Sequence, residues 1–168
     1  AMTDIIEAHG GMVDKYIGDA VVAVFGAPIS DPEHAANACR AALASQALLA
    51  NEGARFAARP GTPMSARIGL NSGEVLIGNI GSERRFNYTA MGDVVNVAAR
   101  LEGANKVFGT GILAGPRTAE LAEATIAFRE VDHLRVVGRE APLVVFEPLA
   151  VPPSHIHDRY AEALAHLH

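Results

Sequence analysis

Residues 13–26, Val13-Asp14-Lys15-Tyr16-Ile17-Gly18-Asp19-Ala20-Val21-Val22-Ala23-Val24-Phe25-Gly26, constrain the fold more than any other stretch. Two apolar, β-branched runs flank a Gly-Asp pair, which predicts a strand, a tight turn and a second strand. Gly18 supplies the backbone freedom such a turn needs. Asp19 falls at the tip, where a carboxylate has no packing role. Gly-Asp is a common turn pair, so a turn role alone is one reading of Asp19. Lys15 supports another. It sets a cation beside an otherwise apolar strand on the same hairpin as the carboxylate, an arrangement suited to a metal–nucleotide complex.

The rest of the chain predicts elements that pack around this hairpin. Thr3–His9 reads as the last turns of a helix stopped at Gly10-Gly11. Asp31 before Pro32 reads as a helix cap. The helix that follows runs from His34 to Glu52, with Ala38, Ala42, Leu43, Ala47 and Leu48 at helical spacing. Cys39 falls in it as a small core residue. Gly53–Pro63 reads as a loop. Met64–Asn71 and Gly73–Gly78 read as strands turned at Ser72-Gly73, and Gly78–Phe86 as a loop carrying Arg84 and Arg85. Val94–Lys106 predicts a helix with Val94, Val97, Ala98 and Leu101 on one face. Asn96 and Arg100, at i and i+4, share another face. A short strand at Gly111–Ala114, a helix at Pro116–Ala124 and strands at Arg129–Val137 and Leu143–Phe146 complete the pattern. That order predicts an α+β domain, a mixed sheet with helices packed on it.

Composition narrows the function classes. At 168 residues the chain fits one domain with a sizeable core. Its formal net charge is −5 and it has no basic stripe, which argues against nucleic acid as a partner. Cys39 is the only cysteine, so no intrachain disulfide forms. No apolar run reaches the length of a membrane span, and a cytoplasmic location is the expectation. Pro152-Pro153 marks a boundary before His155–His168, where Ile156, Tyr160, Leu164 and Leu167 form a helical stripe. That tail is either a surface helix folded back on the domain or the first helix of a following one. Its histidines lack the cysteines or paired carboxylates of a structural metal site, so no zinc is assigned.

The segment Asp14-Lys15-Tyr16-Ile17-Gly18-Asp19-Ala20-Val21-Val22-Ala23-Val24-Phe25-Gly26 resembles the central hairpin of class III nucleotide cyclase catalytic domains. A second block, Tyr88-Thr89-Ala90-Met91-Gly92-Asp93-Val94-Val95-Asn96-Val97-Ala98-Ala99-Arg100-Leu101-Glu102, is similar to the same family in the expected order. The resemblance covers residues 3–149 and leaves 150–168 as a linker and helix. It implies a ferredoxin-like βαββαβ core. It also implies conversion of a nucleoside triphosphate to a 3′,5′-cyclic monophosphate and pyrophosphate by two divalent ions, Mg²⁺ or Mn²⁺. By this resemblance Asp19 is a metal ligand, Arg100 meets transition-state charge and Asn96 holds the ribose. Lys15 and Thr89 read the base. The family site lies between two subunits, so the resemblance implies a homodimer with Asp19 from one chain and the other residues from its partner. Regulatory domains upstream or downstream are a further expectation.

Base choice follows from donors and acceptors. Adenine presents an acceptor at N1 and a donor amine at N6, matched by a lysine that only donates and a threonine hydroxyl that accepts. Guanine presents the reverse, and Glu is expected in place of Lys15 in a guanylate cyclase. The pair therefore favours ATP. Two departures from the family pattern stand out. The opening motif, Phe-x-Asp-Ile-x-Gly-Phe followed by Ser or Thr, with the second metal carboxylate, is absent. The expectation is a domain shortened by its first strand and helix and inactive in this form. Val137 stands where many members have Lys, leaving the triphosphate to Arg84, Arg85 or Arg139. Two other functions compete: a cyclase-homology module that binds nucleotide or dimerises without catalysis, and a diguanylate cyclase. The hairpin lacks the Gly-Gly-Asp/Glu-Glu-Phe signature of the latter.

Overall fold

The computed structural model describes residues 1–56, 64–82, 85–135 and 142–151. Helix α1 (Met2–Ala8) ends where Gly10 takes a left-handed φ of 76°, and leads into strand β1 (Gly11–Ile17). Strand β1 pairs antiparallel with β2 (Ala20–Phe25) around Gly18, whose φ of 63° makes the turn. The hairpin is therefore formed as its sequence predicts, with one irregularity. The register shifts between Val13 and Lys15, leaving Asp14 without a partner on β2.

Asp31 caps the next helix. Its carboxylate accepts the Glu33 backbone N–H at 2.8 Å and the Asn37 side-chain amide at 2.9 Å. Helix α2 (His34–Phe56) continues past the stop expected at Gly53. Gly53 serves a packing role instead: a Cβ there would sit 2.9 Å from the Met64 carbonyl oxygen. The buried stripe of α2 runs through Ala35, Ala36, Cys39, Ala42, Ser45 and Leu49; Ala38, Leu43 and Leu48 are half-buried and Ala47 is exposed.

The middle of the chain differs most from expectation. Strand β3 (Ile68–Leu70) is only three residues long and pairs in parallel with β6 (Ile112–Ala114). It forms no hairpin with the strand after it. That strand, β4 (Leu76–Ser82), pairs instead with β5 (Arg85–Met91), through the segment expected to be a loop. Strand pairing supplies what local pattern could not, because Asn79, Gly81 and Ser82 carry no β signal of their own. Helix α3 (Asp93–Phe108) follows directly and ends at Gly109 in the left-handed region. Helix α4 (Pro116–Ala122) has Pro in its first turn. Strands β7 (Ala127–Leu134) and β8 (Leu143–Leu149) close the domain as an antiparallel pair.

Hydrogen bonding joins β3, β6, β8 and β7, in that order, into a mixed four-stranded sheet. Helix α3 covers one face. Val97, Leu101 and Ala104 pack with Leu113, Val131, Leu143 and Val145. Helices α2 and α4 cover the other, where Cys39, Ala122 and Ile126 meet Leu70 and Phe128. The alternation along β3 separates the two layers: Gly69 faces α3 and Leu70 faces α2. The architecture is thus α+β with a mixed sheet, as expected. Val137, Gly138, Arg139 and the tail from Pro152 to His168 lie outside the described residues.

Candidate functional site

The bulge in β1 builds the most informative cluster. Side chains of adjacent strand residues ordinarily point to opposite faces. The bulge at Asp14 breaks that alternation, and both Asp14 and Lys15 reach Thr89 on β5. Lys15 Nζ donates to Thr89 Oγ1 at 2.5 Å, and Thr89 Oγ1 donates to Asp14 Oδ2 at 2.9 Å. Lys15 also pairs with Asp14 Oδ2 at 3.3 Å. The Asp14 side chain is 1% exposed and that of Lys15 40%, so the carboxylate lies beneath and the ammonium reaches the surface. Thr89 is buried. Lys15 and Thr89, separated by 74 positions, are thus in direct contact.

Asn96 and Arg100 sit on α3, which begins two residues after β5 ends. Both are exposed, and they share a helix face at i and i+4. The helix start is held by Asn71, whose side-chain amide donates to the Val94 carbonyl at 3.0 Å. Asp19 is exposed at the β1–β2 turn, four residues beyond Lys15. Arg85 opens β5 opposite Ser82, and Arg84 lies outside the described residues. The structure therefore joins Lys15 to Thr89 and sets Asn96 with Arg100; Asp19 stands apart from both, at the turn of the hairpin.

The donor chemistry of Asp19 suits a hard cation, but one carboxylate is too few. Among the described residues no group of three His, Cys, Asp or Glu side chains gathers around a common point. These residues do not by themselves fit a two-ion centre, and no step is derived through metal. A groove of about 390 Å³ between α4 and the β7–β8 pair, lined by Pro116, Glu120, Phe128 and Phe146 among others, contains none of the predicted site residues. Among the described residues no helix is long and apolar enough to cross a membrane.

Asp14 is the residue that sequence reasoning missed. The available signal was two consecutive polar residues, Asp14-Lys15, in a strand whose neighbours are apolar. A period of two puts such a pair on opposite faces, and only the β1–β2 register shows the bulge that brings both to Thr89.

Residues 1–146 match the family model described as the adenylate and guanylate cyclase catalytic domain. Adenylate cyclase 1 of Rhizobium meliloti is 36% identical over 151 residues, covering 89% of this chain and 22% of that protein. The chain thus spans about a fifth of the length of that relative. The adenylyl cyclase CyaB from P. aeruginosa superposes with a TM-score of 0.81 at 29% identity, over 89% of this chain and 77% of that one. The guanylyl cyclase Cya2 superposes with a TM-score of 0.78 at 31% identity, over 92% and 77%. Solved enzymes of both base specificities thus share this fold, and the chain belongs to the adenylate and guanylate cyclase catalytic domain family.

Proposed function

We propose that the domain is an adenylate cyclase, converting ATP to 3′,5′-cyclic AMP and pyrophosphate. The observation that carries this reading is the contact between Lys15 and Thr89. A lysine donates to adenine N1, and a hydroxyl already accepting from that lysine retains a lone pair for the N6 amine. The reaction forms a bond from the ribose 3′ oxygen to the α-phosphorus, loses the 3′ hydroxyl proton and breaks the bond to the pyrophosphate oxygen. Asn96 holds the ribose for in-line attack. Arg100 donates to phosphate oxygens as negative charge gathers there. Asp19 would hold one side of a hard divalent ion, Mg²⁺ or Mn²⁺, which would supply Lewis-acid polarisation of the phosphates. Arg85, with Arg84, is assigned to the triphosphate.

The enzyme acts as a homodimer in the cytoplasm, with Asp19 of one subunit facing Lys15, Thr89, Asn96 and Arg100 of the other. Exposure of Asp19, Asn96 and Arg100 supports a site completed by a second copy. Tyr16 and Ile17, each 61% exposed on the same hairpin, offer apolar surface for it. Further regulatory domains in the full-length protein agree with the fraction of its relative that this chain spans.

Complementation tests both activity and assembly. Asp19→Ala and Arg100→Ala full-length proteins should each make cyclic AMP at no more than about a hundredth of the wild-type rate. Mixed one to one, they should recover up to about a quarter of wild-type activity, because half the dimers then contain one intact site of two. Mixtures as inactive as either variant would overturn the shared site. A fully active Arg100→Ala protein would overturn the assignment of Arg100.

A further inference from the structure

We infer that Asp14 determines base choice by turning the Thr89 hydroxyl into an obligate acceptor. This rests on the reading of Lys15 and Thr89 as the base-contacting pair. A threonine hydroxyl has one proton and two lone pairs, and an unconstrained one rotates to donate or accept as its partner requires. Such a hydroxyl does not discriminate an amine from a carbonyl. Here the proton has a fixed destination. Asp14 Oδ2 lies 2.9 Å away, whereas the Ala90 carbonyl, the other acceptor within reach among the described residues, lies at 3.5 Å. A charged acceptor at the shorter distance wins. Lys15 donates to one lone pair, which leaves a single lone pair and no donor. That face accepts from the N6 amine of adenine and repels the O6 of guanine.

The placement of Asp14 suits this role and is costly otherwise. Its side chain is 1% exposed, and its Oδ1 is buried without a hydrogen-bond partner among the described residues. A carboxylate so desolvated is costly to bury, and only the Lys15 ammonium and the Thr89 hydroxyl on Oδ2 offset that cost among the described residues. It occupies the unpaired position of a β-bulge, a device that re-aims side chains beside functional sites. Asp14 is therefore a positioning residue. It touches no base; it pairs with Lys15 and sets the donor–acceptor sense of Thr89.

The test measures the ratio of kcat/KM for ATP to that for GTP in the full-length protein and in Asp14→Asn. An amide at this position donates to the hydroxyl as readily as it accepts, and so frees the Thr89 proton for O6. Asp14→Asn should lower the ATP/GTP ratio by roughly tenfold, the worth of one hydrogen bond exchanged for a repulsion. In a Thr89→Val background, where Asp14 keeps only its ion pair with Lys15, the same substitution should change the ratio by less than about twofold, since the choice between amine and carbonyl is made at the hydroxyl. Equal losses with both nucleotides, or a full effect in the Thr89→Val background, would overturn the inference. A wild type that prefers GTP would refute the adenylate reading; Asp14→Asn moving the ratio further towards GTP would still uphold the role of Asp14. If Asp14→Asn alone does not fold, the Asp14→Asn, Thr89→Asp double variant keeps one carboxylate in the cluster. It has no hydroxyl proton to orient and should prefer ATP, and a double variant without base preference would overturn the inference.

Discussion

Arg100 stands one helical turn beyond Asn96 on the exposed face of α3, and its proposed partner is charge that develops mainly in the transition state. Arg100→Ala should therefore lower kcat far more than it raises KM. The expected loss is roughly 10²–10³ in rate, about 2.7–4 kcal/mol. A variant within a few-fold of wild type, measured by steady-state kinetics on the full-length protein, would remove Arg100 from the mechanism. At the base, Lys15→Glu with Thr89→Cys should shift preference from ATP towards GTP, and an unchanged ratio would exclude Lys15 as a base reader. Lys15 and Thr89 were legible in the sequence because each sits in a long motif match. Their contact was not legible, since no local pattern reports on residues 74 positions apart. Asp14 was hidden for a related reason. Its meaning depends on a bulge, and bulges are set by strand pairing rather than by composition.

Helix α3 carries Asn96 and Arg100, so what seats α3 on the sheet also sets the site. Two residues do this. Gly69 on β3 lies against the α3 backbone: a Cβ there would be 2.0 Å from the Ala98 carbonyl oxygen and 2.5 Å from the Glu102 nitrogen. Asn105, 1% exposed, donates to the Ile68 carbonyl at 3.0 Å and accepts from the Thr110 hydroxyl at 2.8 Å. Gly69→Ala must push α3 away from β3 and should cost about 1–3 kcal/mol, as overpacking does. Asn105→Ala removes the bond to the Ile68 carbonyl and takes the acceptor from the Thr110 hydroxyl, and should cost a similar amount, about 1–3 kcal/mol. Each should lower the thermal midpoint by roughly 2–4 °C per kcal/mol. Calorimetry showing either variant as stable as wild type would contradict this docking. Helix α3 and the β1–β2 hairpin were legible because their apolar periodicity and turn residues agree. The β4–β5 hairpin was not, because Gly78, Asn79, Gly81 and Ser82 read as loop and only the register with β5 makes them strand.

Across the whole molecule, the two helical layers enclose a sheet whose stability responds to pH through Cys39. Burial pushes its thiol from an ordinary value of 9.0 up to about 12, with the nearby Arg40 guanidinium acting weakly in the opposite direction. The folded state therefore keeps a proton that the unfolded chain loses, and stability falls as pH rises from about 9 towards 12. Below that range this thiol contributes no pH dependence. Urea midpoints across that alkaline range should fall less steeply in Cys39→Ala than in wild type, and parallel curves would contradict the burial argument. The same burial makes the native thiol inert to alkylation, so labelling should follow unfolding. The fold and the cyclase chemistry rest on the family; the choice of base rests on Lys15, Thr89 and the carboxylate beneath them. The direct test offers the full-length protein equal concentrations of ATP and GTP with Mg²⁺ or Mn²⁺ and measures both cyclic products. Lys15 and Thr89 as readers of adenine require cyclic AMP in clear excess, released one to one with pyrophosphate. Cyclic GMP in excess, or no cyclic product from either nucleotide, would contradict that reading.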